Sequence, residues 1–362
     1  MKNSPLAQRH SSLSAKMADF GGYLMPIEYP GAGVLTEHAA VREKVGIFDV
    51  SHLGKVSVIG DGALDFLNSV FTNDLNRIMN GQAQYTLHCN SSGGVIDDLI
   101  VYRNSANDLF LIPNASNTSA VVANLLNLAP PEIVITNLHE AFGVIAVQGP
   151  RSREVLGGLG VDPQMDYMAF SRVEIAGCQV TLCRTGYTGE HGYEIVPIWD
   201  QTTRVWDALV TEIKKFDGQV CGLGARDTLR TEMGYPLHGH ELSLSISPVQ
   251  ASASWAVAWD KPSFSGSDEL RREKQSGEHR RIRALVSQDR GIPRAGMQVK
   301  SLSGELLGEV TSGTYSPTLK KGIALALLAH SVKLDDRVVI DVRGRESSAV
   351  VTRLPLTPSH VR

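Results

Sequence analysis

Gly93-Gly94-Val95-Ile96-Asp97-Asp98-Leu99-Ile100-Val101-Tyr102 is the stretch on which the reading of this chain turns. Val95, Ile96, Leu99, Ile100 and Val101 form a β-branched, apolar run that predicts a buried strand. Two adjacent aspartates interrupt it. An ionised carboxylate is costly to bury unless it is paired or hydrogen-bonded, so a core strand carries one for a reason. Successive strand side chains point to opposite faces. One aspartate is therefore expected to face a cavity while the other finds a structural partner.

The surrounding composition is that of an ordinary globular protein, 42% hydrophobic and 20% charged over 362 residues. A chain of this length exceeds the size at which a single core stops growing, which predicts two or three domains. The formal net charge of -3 supplies no field to attract nucleic acid. The densest basic run, Arg271-Arg272-Glu273-Lys274 with His279-Arg280-Arg281, reads as a solvated helix and linker. No apolar run approaches the ~20 residues of a membrane span, and Met1–Pro5 does not open a secretory signal. Cys89, Cys178, Cys183 and Cys221 are scattered, with no CxxC. Cys178 and Cys183 fall on opposite faces of a strand-like run, so a reducing cytoplasm is expected rather than a disulfide framework or zinc site.

Outward from the aspartates, strands are expected at 55–59, 84–88, 109–113, 144–147, 173–175, 179–184 and 192–196. Helices are expected at 36–50, 117–128, 151–156, 203–216 and 225–233, and 61–79 reads as a helix and its exit. After Phe264 a polar helix and linker lead to short alternating strands between Gly, Pro and Ser turns, which predict a separate small barrel or sandwich. The body reads as mixed sheets covered by helices, hence α+β.

Arg184-Thr185-Gly186-Tyr187-Thr188-Gly189-Glu190-His191-Gly192-Tyr193-Glu194 is the second concentration of signal. Its glycines let the backbone approach a ligand closely and present Tyr187 and Glu194, although a plain hairpin loop fits equally well. Cys221-Gly222-Leu223-Gly224-Ala225-Arg226-Asp227 has Asp227 at the third glycine position of a dinucleotide fingerprint, so a nicotinamide or flavin site is discounted. What remains is a helix N-terminus able to hold an anion or a polar heterocycle edge, with Arg226 and, one turn later, Arg230. His238-Gly239-His240-Glu241 lacks a third metal ligand and reads as a loop. Ser51-His52 has no nucleophile elbow near it, so His52 reads as a packed turn histidine. Tyr85, Asp98 and Asn114, if they share one cavity, offer a stacking face, a carboxylate and an amide, which suit a flat hydrogen-bonding heterocycle. Asn114 is equally an ordinary helix cap.

Together these segments resemble the aminomethyltransferase (T-protein) family of the glycine cleavage system. Phe20–Pro26, Phe48-Asp49-Val50-Ser51-His52, Gly93–Tyr102, Gln148-Gly149-Pro150, Arg184–Glu194, Gly222–Arg230 and Thr311–Leu319 match its landmarks in order, across essentially the whole chain. The resemblance implies a three-domain cloverleaf: two mixed α/β-sheet domains plus a C-terminal β-barrel-like domain. Residues 1–275 would form the folate-binding region, as two interleaved subdomains (1–52 with 140–240, and 53–139 with 241–275), and 280–362 the barrel.

The resemblance also implies chemistry. The family moves a methylene from the aminomethyl group on the lipoyl arm of H-protein to tetrahydrofolate and releases ammonia, with no metal. By matching position, Asp98 is catalytic, and Tyr85, Asn114, Tyr187, Glu194 and Arg226 contact folate, with Tyr102 and Trp255 lining the same cavity. Expected partners are lipoylated H-protein and tetrahydrofolate, not nucleic acid or membrane. Tyr23 stands where a tryptophan is common, His191 where an acid is frequent, and Gln250 and Ser252 where glutamate and glycine are usual. The alternatives are a folate-binding relative acting in demethylation or as a non-catalytic iron–sulfur assembly factor. The first usually carries a fused flavin domain and the second a Lys-Gly-Cys-Tyr-type motif, and neither feature occurs here.

Overall fold

The aspartate-bearing run is the core of the Val95–Ser105 strand in the computed structural model, which describes residues 1–362. It lies in a five-stranded antiparallel sheet ordered Gln82–Cys89, Val95–Ser105, Asp108–Ile112, Val56–Ile59 and Val134–Asn137. One face is covered by the helices Ala63–Val70 and Thr118–Leu128. Their Leu67, Val70, Val121 and Leu125 pack with Leu99, Val101, Leu109 and Leu111. Strand alternation puts Asp97 on this helix-covered side with Leu99 and Val101, and Asp98 on the other side with Ile100 and Tyr102.

A six-stranded sheet stands opposite, ordered Phe170–Ile175, Cys178–Cys183, Gly192–Val196, Ile145–Gln148, Gly46–Asp49 and Gln219–Cys221. Its pairs are antiparallel except the last, which is parallel. The helices Ser152–Gly158 and Thr202–Ile213 cover one face, with Trp206, Leu209 and Val155 against Ile47, Val147 and Ile195. On the other face, Phe48, Ala146 and Cys183 share a core with Tyr102 and Ile112 of the first sheet and Leu223, Ala225 and Leu229 of the Leu223–Met233 helix. Cys178 and Cys183 thus serve different cores, as expected of strand residues five apart. All four cysteines are buried and free.

Six strands from Arg281–Ser287 to Arg345–Thr352 close a barrel, joined to the body through the helix Ser267–Ser276. Buried polar contacts pin it in place. Arg230 donates to Glu241 (2.9 Å) and to Ser312 of the barrel (2.8 Å), while Thr311 donates to Glu241 and Ser316 to Glu232, both at 2.5 Å. Ser252, where the resemblance led to a glycine, has φ +59° and donates to Ile282 O at 3.1 Å, across the same junction. No helix is long and apolar enough to cross a membrane.

One expectation fails, and one sheet has no counterpart among the expected elements. The helix at 36–50 is instead Gly33–Glu43 followed by the strand Gly46–Asp49. Ile47, Phe48 and Asp49 are buried on both faces, and a strand enclosed on both sides has no alternating pattern to distinguish it from helix. The N-terminal sheet of Lys2–Asn3, Tyr23–Glu28 and Lys16–Phe20 was not anticipated.

Candidate functional site

Between the two sheets lies a cavity of about 220 Å³, closed at one end by the Leu223–Met233 helix. Tyr85, Asp98, Asn114, Tyr187, Glu194, Arg226 and Trp255 all line it, although they come from six separate segments. Strand register explains the first three. Ile100 pairs with Ile112, so Asn114 falls opposite Asp98 where the neighbouring strand ends, and Tyr85, which pairs with Ile100, is the diagonal neighbour of Asp98. The Tyr85 hydroxyl donates to Asp98 Oδ2 (2.9 Å) and Asn114 Nδ2 donates to Asp98 Oδ1 (2.9 Å). Both donors are neutral. Burial pushes the Asp98 carboxyl above the usual carboxylate range, against the opposing pull of the Tyr85 hydrogen bond and His238.

The facing wall is built by the second sheet and the helix. Glu194 is buried on the cavity side of its strand and accepts from Thr185 Oγ1 at 2.5 Å. Arg226 Nη1 is sealed from solvent without a hydrogen-bond partner, and its guanidinium lies 4.8 Å from the Tyr187 ring centroid. Burial lowers its pKa, and nearby Glu194 opposes that shift. Arg226 lines the cavity and its guanidinium makes no hydrogen bond to the protein, so its remaining N–H groups can meet an acceptor presented from the cavity. Arg230 also lines the cavity but is already committed to Asp227, Glu241 and Ser312. Tyr187 stacks on Tyr235 with centroids 5.6 Å apart and donates its hydroxyl to Pro236 O. At the mouth, Trp255 is 68% exposed yet stacks on Tyr85 at 5.2 Å, leaving a large aromatic face open.

Several readings change. Tyr102 does not line this cavity. It shares the face of Asp98, but four residues further along a strand is ~13 Å, and there its ring packs edge-on against Phe170 and borders a separate hollow with Phe110 and Cys183. The helix N-terminus at Gly222 is not free for an anion, because Glu37 Oε2 accepts its N–H at 2.8 Å. Gly186 and Gly192 are small for a different reason than expected: a Cβ on either would strike the Gln148 side chain, at 2.1 and 2.5 Å. His238 and His240 diverge, the first bonding Val95 O and the second Thr311 O.

His52 is a packed turn histidine, but it also lines the cavity. Its Nδ1 is buried without a partner, and burial reinforced by Arg226 lowers its pKa to about 3, so the ring is neutral. Tyr167, Met168, Thr185 and Tyr235 also line the wall and were not singled out from sequence. Only an aromatic within a turn (Asp166-Tyr167-Met168) hinted at one of them.

The fold and this site define a two-sheet cloverleaf with a C-terminal barrel. Residues 6–261 match the GCVT N-terminal domain, and residues 280–357 match the glycine cleavage T-protein C-terminal barrel domain. The chain belongs to the glycine cleavage T-protein family. It is 55% identical to an aminomethyltransferase of Parafrankia sp., over 100% of this chain and 99% of that protein. Aminomethyltransferases of Mycobacterium avium and Mycobacterium tuberculosis are 53% and 51% identical, each over 99% of this chain and 98% of the relative. The crystal structure of glycine cleavage system aminomethyltransferase T from Bartonella henselae superposes with a TM-score of 0.92 at 30% identity, covering 99% of both chains.

Proposed function

We propose that this chain is the aminomethyltransferase of a glycine cleavage system. It takes the aminomethyl carbon from the lipoyl arm of H-protein, breaks its bonds to sulfur and to the departing ammonia, and joins it to two nitrogens of tetrahydrofolate. The products are 5,10-methylenetetrahydrofolate, ammonia and dihydrolipoyl H-protein. Tetrahydrofolate acts as co-substrate, and the chemistry uses no metal. Four buried free thiols suit the reducing cytoplasm where this would occur.

One observation carries the reading: a carboxylate faces a largely apolar cavity, held by two neutral donors rather than by a cation. Asp98 is placed to take or share the proton of the folate amine beside the attacking nitrogen, and its negative charge favours cationic character on the carbon as ammonia leaves. Opposite it, the orphaned Arg226 donor beside the Glu194 acceptor matches the mixed edge of an aminopyrimidine. Tyr187 and the open face of Trp255 offer stacking surfaces. Tyr85 and Asn114 fix the Asp98 carboxyl.

The test is methylenetetrahydrofolate formation from H-protein loaded with the aminomethyl group, with free sarcosine and dimethylglycine as competing donors. Turnover from H-protein alone supports the assignment. Turnover only from the free amines would turn it into a demethylase.

A further inference from the structure

The other carboxylate of the pair has no part in the reaction described above, yet it is the more enclosed. Asp97 is 0% exposed. Its Oδ2 accepts the Asn114 backbone N–H at 2.9 Å, and its Oδ1 accepts Asn114 Nδ2 at 2.8 Å and Asn117 Nδ2 at 2.7 Å. The same Asn114 Nδ2 lies 2.9 Å from Asp98 Oδ1 and 3.0 Å from Asp98 O. One amide nitrogen therefore faces oxygens of both aspartates from the two sides of the strand. Reversing the amide would set its oxygen against three acceptors, so Asn114 has one usable orientation.

We propose that Asp97 is a positioning residue: it locks Asn114 with its N–H groups toward Asp98 and sets a second negative group beside Asp98, making Asp98 the stronger base. This rests on the function proposed above. Two carboxylates sharing a donor in a largely buried site cannot both ionise cheaply, so the pair retains a proton to higher pH than either would alone. Burial and the Asp98 charge both raise Asp97, but the geometry leaves the shared proton to Asp98. Asp97 accepts three N–H donors and faces no acceptor for a proton of its own, whereas the Tyr85 hydroxyl can rotate to accept one from Asp98. The other groups facing Asp98 are Tyr85 on the neighbouring strand, His238 from its loop and Tyr187 across the cavity. Arg226, Glu194, Arg230 and Asp227 stand on the further wall. None of these bonds both aspartates.

The experiment uses the full chain with loaded H-protein and tetrahydrofolate. Asp97→Asn keeps the shape but loses the charge and one acceptor. Its kcat should fall about tenfold, with KM for tetrahydrofolate within about twofold and the acid limb of the kcat profile moved to lower pH by about one unit. An unchanged limb, or a raised KM with intact kcat, overturns the proposal. Carboxyl NMR of wild-type protein carrying 13C-labelled aspartate provides a second measurement that needs neither activity nor a folded Asp97→Asn variant. Two separated protonation steps are expected for Asp97 and Asp98, and a single step for Asp97 at lower pH in Asp98→Asn. Independent titration of both in the ordinary range overturns the proposal. Failure of H-protein turnover by wild-type protein would refute the function instead, and the titration would still decide this inference.

Discussion

Asp98→Asn separates chemistry from stability, because the same burial that would suit Asp98 to its proposed catalytic role disfavours its charge. An asparagine there keeps its Oδ1 for Asn114 and turns its Nδ2 toward Tyr85, whose hydroxyl can rotate from donor to acceptor. Both contacts survive, so the cavity keeps its shape. The proton acceptor is lost, and kcat with loaded H-protein should fall ~10²–10⁴-fold. Calorimetric affinity for tetrahydrofolate should stay within about threefold, the amide still meeting one ligand polar group. Stability should move the other way. A carboxyl whose folded pKa is raised stabilises the fold fully below its unfolded value, here 3.8, and loses that contribution as pH rises through the folded value. The variant should thus have a higher Tm than wild type at pH 7 to 8, with the gap closing toward pH 4. For a domain of 150–250 residues each kcal/mol relieved corresponds to roughly 2–4 °C. Turnover within a few-fold of wild type in a folded variant would refute the role of Asp98. A Tm gap that does not depend on pH would refute the burial argument.

Other perturbations bear on the rest of the site. Removing the unpaired donor in Arg226→Ala, or the acceptor in Glu194→Ala, should weaken tetrahydrofolate binding ~10–100-fold by calorimetry, the worth of one charge-assisted hydrogen bond; unaltered affinity removes the residue from the binding edge. His52, held neutral with a pKa of about 3 against 6.5 for the free side chain, takes up its proton in the unfolded state first. Stability is therefore lost as pH falls from about 6.5, by an amount on the order of a few kcal/mol. Denaturant unfolding should show His52→Gln less acid-sensitive than wild type between pH 7 and 5, and equal sensitivity contradicts the assignment. Arg230→Ala leaves Glu241 buried without a counter-charge at the barrel junction. It should cost about 3–5 kcal/mol, and limited proteolysis should then cut near 280; a stable, resistant variant refutes the junction argument.

Asp97 and Asp98 were legible because a charged pair inside a β-branched run violates the local pattern. Period-two alternation then separated their faces without any tertiary information. The same alternation applied to Tyr102 named the correct face and the wrong place, since parity says nothing of how far along the strand a cavity extends. Glu194 and Arg226 stood out as polar residues beside glycines, but the glycines proved to accommodate Gln148 and the backbone of Ile27 rather than a ligand. His52 looked like packing because nothing local shows which turn faces a void.

By itself the sequence determined the strands and helices with a clear period, the change to a small β-domain after Phe264, and the family landmarks. Each of these is written within a dozen or so neighbouring residues. The tertiary structure decided which polar groups end with partners and which without: Arg230 was claimed by Glu241 and by Ser312 of the barrel, and the Gly222 N–H by Glu37, while Arg226 was left without a partner on the cavity wall. That division depends on groups far apart in the chain meeting in a medium where an unmatched hydrogen-bonding atom is expensive, and no local pattern encodes such a meeting.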